Sequence, residues 1–384
     1  MAGRTVTLVL ADEAGTVLGA LPDFPVPDPW WQEVSEVVAA ARERYGLEAT
    51  VLRLISAGQA APPGGHVTYL AQVRTPVPVE LAPCPVDPGW SPVRMPWAVP
   101  GGPAESVRWA LGCLPAGAVA VQMRSWNLSA VWRCDVGGEP VAWLKQVPGF
   151  LAPEPAVLRL VGEVAPGLVP AVLATGAAGR ALLAHVPGAD RYGAGPGFCA
   201  AVARDFHAVQ EHFATRQREL IDAGVPDRRL DHDRLARVAG AYADRIPGLA
   251  ALLADLPARL AALAACGLPD TLVHGDLHPG NVRETPDGAR VILDWGDATV
   301  GHPAFDILRL TDDPAVLGEW AARWRTAVPG CDPLAAADLA RPLAELRAAA
   351  AYQDFVDHIE ESERPYHALD IPDRLAAAGS IVGG

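Results

Sequence analysis

The sequence predicts an α+β protein in three parts: a small α/β module, a β-rich lobe with one helix, and a larger helical lobe. Three observations lead there. A proline-dense stretch, "TPVPVELAPCPVDPGWSPVRMPWAVPGGPAE" from Thr75 to Glu105, forbids a helix or a central strand and sets the first module apart. From residue 118 short strand patterns dominate, and from residue 197 helical spacing does. A polar cluster, "TLVHGDLHPGNVRETPDGARVILDWGDA" from Thr271 to Ala298, interrupts the helical part with chemistry-bearing residues.

Residues 5–21 read as two strands around an acidic turn that ends in Gly15. The apolar spacing of 33–45 predicts a helix, with Gly46 as its C-cap. "ATVLRLI" and "HVTYLAQVRT" read as further strands, completing a module over 1–80. Residues 81–115 are an ordered linker, because its Val, Leu and Trp residues need a surface to pack on; a short helix spans 105–114. The β-rich lobe covers 116–187. It runs strand, loop, strand, Gly-Gly turn, strand, then a helix over 153–164 and the strand "RALLAHVPG". Pro153 and Glu154 stand in that helix's first turn, where proline is tolerated and an acid complements the dipole. The helical lobe covers 188–384, with helices over 197–220 and 232–265, the polar cluster, and mostly helix over 313–379.

Half of the residues are hydrophobic, enough for sizeable cores. The formal charge of −14 disfavours nucleic acid and steers a cationic small molecule favourably. No apolar run is long enough to span a membrane, and the first residues lack a signal-peptide pattern, so a cytoplasmic protein is expected. The six cysteines form no C-x-x-C pair, which points to free thiols.

Asp276 lies in "HGDLHPGN", a loop after the apolar strand "TLVH", where Pro279 and Gly280 exclude a regular helix. A carboxylate there can accept a proton from a hydroxyl or orient it. Asn281 offers an amide oxygen, a hard ligand for Mg²⁺. "RVILDWGD" is a strand presenting Asp294, and the "ETPDGA" turn folds Asp294 back beside Asn281. One carboxylate and one amide, completed by phosphate oxygens and water, make a Mg²⁺–nucleotide site.

H-G-D-x-x-x-x-N followed thirteen residues on by D-W-G-D resembles the catalytic segment of the aminoglycoside phosphotransferase and choline kinase-like family, itself similar to protein kinases. The resemblance extends over roughly residues 120–375. It implies a bilobal protein-kinase-like fold and transfer of the γ-phosphate of ATP or GTP, with Mg²⁺, to a hydroxyl of a small molecule. An antibiotic acceptor, in resistance or self-protection, is within that range. Asp276 would be the catalytic base or hydroxyl orienter, and Asn281 and Asp294 the metal ligands. Lys145 in "VAWLKQV" matches the phosphate-binding lysine, and Glu154 its ion-pair partner, with Glu163 as a rival. "MRSWNLSAVW" stands at the phosphate-covering loop without its glycines; Asn127 and Ser129 would donate to phosphate oxygens. Ala184 to Val186 would be the hinge facing the base. His274 and Asp306 would support the catalytic loop, and Asp297 would be local support. Asp354, Asp357 and Glu361, spaced at 3 and 4, are read as sharing a helix face that either binds a cationic acceptor or is simply solvated.

Two other chemistries compete with this reading. His274, Asp276 and His278, with His302 and Asp306, could form a hydrolase metal cluster, but that leaves Lys145, Asn281 and Asp294 unexplained. A nucleotide-binding pseudokinase or scaffold would have lost Asp276, Asn281 or Asp294, and none is lost.

Strand–turn–strand, "PWWQ", helix, strand in residues 1–80 resembles a Nudix fold. Its catalytic box is not kept. Aligned on Gly46, only Glu43 stands at an acidic position, while Arg44, Ala40 and Ala39 replace a Glu, a Glu and an Arg. The resemblance therefore implies a module without hydrolase activity, used for docking, as a substrate lid or to form a homodimer.

Overall fold

The structure is a computed structural model and describes residues 3–86, 89–151, 153–229 and 232–383. The chain is α+β throughout and gathers into two compact units. The first comprises Met1–Gly149, Leu173–His185 and Asp354–Leu369; the second comprises Phe150–Val172, Val186–Gln353 and Asp370–Gly384.

The first unit opens with β1 (Arg4–Ala11), β2 (Val17–Ala20), β3 (Phe24–Val26), α1 (Ser35–Tyr45), β4 (Thr50–Ala57) and β5 (Gly65–Gln72). β1 and β5 pair in parallel, β4 runs antiparallel to β5, and β2 and β3 each pair with part of β1. β3 was not expected, because Pro25 argues against a strand; on an edge its missing N–H costs no ladder bond. α1 stops where expected: Gly46 adopts φ 67° and its N–H returns to the carbonyls of Ala41 and Arg42. Val37 and Ala41 of α1 pack on Val6, Leu8, Leu10, Val51, Val67 and Tyr69. The opposite sheet face buries Val9, Ala11, Leu52 and Leu70, against linker residues Cys84 and Val86. This sheet is covered on both sides, so its strands read as continuous apolar runs.

The same unit holds α2 (Gly102–Gly112) and a second sheet made of β6 (Val119–Ser125), β7 (Ala130–Val136), β8 (Glu139–Gln146), β9 (Val172–Gly176) and β10 (Arg180–Ala184), in the order β6-β7-β8-β10-β9. α2 begins three residues before the expected 105 because Pro103 sits in the first turn, where no N–H is needed. β9 was missed, being an edge strand with no fully buried residue. Gln122 joins the two sheets: its side chain accepts from Val51 N at 2.9 Å and donates to Val51 O at 2.7 Å.

Asp354–Leu369 also belongs to this unit. Glu360 accepts from Arg94 Nε and Nη2 at 2.8 and 2.7 Å and lies 3.8 Å from Arg53 Nε. Ser362 donates to Leu54 O at 3.1 Å, and Tyr366 packs edge-to-face on Trp31 and Trp126. Glu363 is buried beside Glu360; desolvation first, then that charge, pushes its carboxyl up to about 8. The folded pKa thus exceeds the unfolded one. The stabilisation is complete below about pH 4.5 and is lost as pH rises through about 8. Between pH 5 and 8 the protein should therefore lose about 2–4 kcal/mol of stability relative to Glu363→Gln. Urea unfolding of both proteins across that range checks this; parallel stability curves would contradict it.

The second unit contains α3 (Glu154–Val164), β11 (Ala189–Asp190), α4 (Pro196–Phe213), α5 (Gln217–Asp222), α6 (His232–Gly240), α7 (Leu249–Ala265), β12 (Thr271–Val273), β13 (Val282–Glu284), β14 (Arg290–Ile292), β15 (Thr299–Gly301), α8 (Ala304–Leu310), α9 (Pro314–Ala327), α10 (Pro333–Asp357, its last four residues in the first unit) and α11 (Asp370–Gly383). The helix expected over 232–265 is two helices, because Pro247-Gly248 breaks it. α4 packs on α3, α8, α9 and β12, and α7 packs on α6 and α11. Two small sheets emerge from this helical body: β11-β13-β14, and the β12–β15 pair. Trp295, Trp320 and Trp324 are fully buried. All six cysteines are free, and no helix among the described residues is long and apolar enough to cross a membrane.

Candidate active site

β12 delivers the chain into the H-G-D loop. Gly275 has φ 92°, and a Cβ there would lie 2.3 Å from the carbonyl oxygen of Asp297, so only glycine lets this loop pass the D-W-G-D loop so closely. His274 is fully buried. Its Nδ1 accepts the Asp276 N–H at 3.2 Å, leaving the ring proton on Nε2 to bond Leu293 O at 2.9 Å. The two loops are thereby cross-linked.

Asp306, on α8, braces the loop from beneath. Its Oδ2 accepts from His274 N at 2.9 Å and Gln210 Nε2 at 3.1 Å, and its Oδ1 from Gly275 N at 3.0 Å. Arg347, half-buried, adds a favourable charge nearby.

Asp276 Oδ2 accepts from Asn281 Nδ2 at 3.1 Å, and the same amide donates to Asp276 O at 3.0 Å. His278 faces Oδ2 through Nε2 at 3.5 Å; its Nδ1 accepts the Gly280 N–H, which fixes the ring proton toward the carboxylate. Arg309 Nε donates to Oδ1 at 2.8 Å. Burial by itself raises the Asp276 pKa. The His278 hydrogen bond, then the charge and hydrogen bond of Arg309, outweigh it and hold the carboxyl far below the usual carboxylate range.

The β13–β14 hairpin pairs Val282 with Ile292, and beyond it Leu293 N donates to Asn281 O at 2.8 Å. Asp294 follows directly, exposed and at φ 61°, in the left-handed region. Such backbone strain in a non-glycine residue is commonly retained at functional positions. The adjoining Trp295 is buried, packs on His274 and Phe206, and donates its backbone N–H to Glu154 Oε1 at 2.9 Å. Glu154 thus anchors the D-W-G-D loop through its Oε1, while Glu163 is exposed.

Fit to a magnesium ion follows from the donor set. With its amide nitrogen engaged on Asp276, Asn281 would have its side-chain oxygen left for a metal, and Asp294 would supply a carboxylate. Both are hard oxygens, as Mg²⁺ requires. The weighed hydrolase cluster does not form. Both nitrogens of His274 are already used, and among the described residues no group of three or more His, Cys, Asp or Glu could hold a metal.

Lys145 is half-buried on β8, opposite Val131 and Ala181 in the sheet register. Asn127 and Ser129, expected to donate to phosphates, turn inward instead. Asn127 is fully buried with Nδ2 3.0 Å from His367 Nε2, and Ser129 Oγ accepts from Trp126 Nε1 at 2.9 Å. Ala184 pairs with Ala142, and the Val186 carbonyl accepts from Arg283 Nη1 at 3.2 Å. The helix face expected to carry Asp354, Asp357 and Glu361 does not exist: α10 ends at Asp357, and Glu361 starts a separate 3₁₀ turn. The break comes where Ile359 and Glu360 become buried, with Glu360 on its two arginines.

Arg309 was missed in the sequence. Its signal is the i,i+3 spacing from Asp306, which puts both side chains on one face of α8 beside the loop.

The profile of the phosphotransferase enzyme family matches residues 141–336, about half of the chain. A search of curated proteins finds no match. Among solved structures, a macrolide 2'-phosphotransferase type I is 16% identical, with 74% of this chain and 97% of that one covered and a TM-score of 0.48. A choline/ethanolamine kinase family protein from Mesorhizobium loti is 17% identical, with 72% and 99% covered and a TM-score of 0.47. The spectinomycin phosphotransferase in complex with ADP and spectinomycin is 11% identical, with 70% and 92% covered and a TM-score of 0.46. The Nudix likeness of the first module gains no support from these comparisons.

Proposed function

The chain belongs to the phosphotransferase enzyme family, and on that premise we propose that it moves the γ-phosphoryl group of ATP or GTP to a hydroxyl of a small molecule. The observation that carries this reading is the join between the two loops: Asn281 holds Asp276 through its amide nitrogen and meets the Leu293–Asp294 backbone through its carbonyl. One short segment thus presents a fixed carboxylate and two hard oxygen donors.

In the step proposed, the bond between the γ-phosphorus and the β,γ-bridging oxygen breaks, and a bond to the acceptor oxygen forms. The acceptor's proton leaves to solvent or to the product phosphate. Asp276 stays ionised and accepts the hydroxyl's hydrogen bond, aiming its oxygen at phosphorus; a carboxylate held so acidic orients better than it stores a proton. Asn281 and Asp294 would hold Mg²⁺, which when bound neutralises phosphate charge. Lys145 would supply a cation to the nucleotide phosphates. Most of the rate would come from placement and electrostatics. In the first module Glu43 is exposed between Arg42 and Arg44, a setting that supports a non-hydrolytic role. A screen of hydroxylated compounds for nucleotide consumption, with Asp276→Ala as blank, tests the reaction class; equal consumption by both proteins would remove it.

Lys145 is the only lysine in the chain, which makes its role directly measurable. An acyl-phosphate derivative of ATP should acylate this one side chain, and excess MgATP should slow the labelling by about tenfold or more. Peptide mass spectrometry reads the site. Labelling at an unchanged rate under saturating nucleotide would exclude Lys145 from the phosphate site.

A further inference from the structure

The guanidinium of Arg309 is bonded to Asp276 through Nε alone. Among the described residues its two terminal nitrogens have no hydrogen-bond acceptor, and the side chain is 45% exposed. An arginine fork with one edge on a carboxylate and the rest open is a receptor for an anion. It touches Oδ1 of the very carboxylate that would orient the acceptor hydroxyl. We infer that Arg309 selects the acceptor, taking an anionic substituent that lies beside the hydroxyl to be phosphorylated. This rests on the phosphotransferase reading and narrows it to hydroxy acids or phosphorylated alcohols.

The neighbouring groups agree. His278 presents an N–H to Asp276. Tyr352 lies close enough to feel the charges of both Asp276 and Arg309, and burial pushes its phenol up to about 12, so it adds no competing anion. An ammonium group next to the reacting hydroxyl would meet the exposed guanidinium at contact range. The acidic total charge of the chain favours cations only at a distance, where salt screens it beyond about 8 Å. At contact the local charge decides.

The full chain, with MgATP or MgGTP, is assayed for nucleoside diphosphate release on four matched acceptors: glycerate, glycerol 3-phosphate, glycerol and 3-amino-1,2-propanediol. At least one of the two anions should exceed glycerol by about tenfold or more in kcat/KM, and the amine should fall below it. Which anion wins separates carboxylate from phosphate recognition. Arg309→Met should collapse the anion-to-glycerol ratio through acceptor KM, and Arg309→Lys should restore part of it. A ratio untouched by Arg309→Met, or a preference for the amine, overturns the inference. If none of the four turns over, melting temperatures with a β,γ-methylene nucleotide decide. An anion must raise the value in the wild type and not in Arg309→Met, and no shift overturns the inference too. Failure of the underlying reading looks different: nucleotide turnover would survive Asp276→Ala.

Discussion

Asp276→Asn should lower kcat by about 10³-fold or more while leaving the fold and the nucleotide KM nearly unchanged. The substitution is isosteric, so the loop keeps its shape. What changes is the side chain's chemistry. In the native site every contact of the Asp276 carboxylate is a donor: Asn281 Nδ2, His278 Nε2 and Arg309 Nε. The acceptor hydroxyl would be one more. An amide can accept at only one of its two ends; at the other its own N–H groups would confront those donors. The hydroxyl then loses its aim, and placement is the largest contribution available to a reaction in which the protein forms no covalent bond. The pair with Arg309 is largely exposed, so its loss should cost no more than about 1 kcal/mol in stability. Steady-state kinetics with denaturant unfolding checks both halves. A kcat within tenfold of wild type would mean that another group orients the acceptor.

The second large effect is expected at Asp306, which never needs to touch substrate. Three donors end on this buried carboxylate, two of them backbone N–H groups of the H-G-D loop, and the half-buried Arg347 lies within its field. Asp306→Ala leaves those donors and that charge without their acceptor. Removing one partner from such a buried network typically costs about 3–5 kcal/mol. The loop would also lose its floor, so kcat should fall by about 10²-fold in the fraction that still folds, because small displacements of a reacting group are costly. Urea unfolding gives the first number, and kcat measured below the unfolding midpoint gives the second. Native stability together with native turnover would show that His274 and Trp295 hold the loop unaided.

These two residues mark a boundary in what the chain's order of residues reveals. Asp276, Asn281 and Asp294 were legible because their meeting is local. A proline and a glycine forbid helix between the first two, and a five-residue strand-to-strand turn brings the third back beside the second. The C-cap at Gly46 and the helix start at Pro153-Glu154 were legible for the same reason. Asn127 was misjudged because its surroundings are remote. Position within a loop suggested exposure, yet the loop is filled by Trp126 and closed by His367, 240 residues later in the chain. Glu361 failed likewise: charge spacing continued a helical pattern, but Glu360 ended the helix by pairing with Arg53 and Arg94.

The hairpin over 282–292 and the general α+β plan were therefore determined by sequence alone, since short-range backbone preferences and a brief loop leave few alternatives, and the phosphotransferase class was legible through the resemblance of its motif. Tertiary packing alone decided that Arg309 closes on Asp276 and that Glu154 anchors Trp295 across 141 residues. It likewise decided that Asp354–Leu369 joins the first unit. Such partners are chosen by the need to satisfy charges and backbone groups once they are buried, and burial is a property of the whole folded chain.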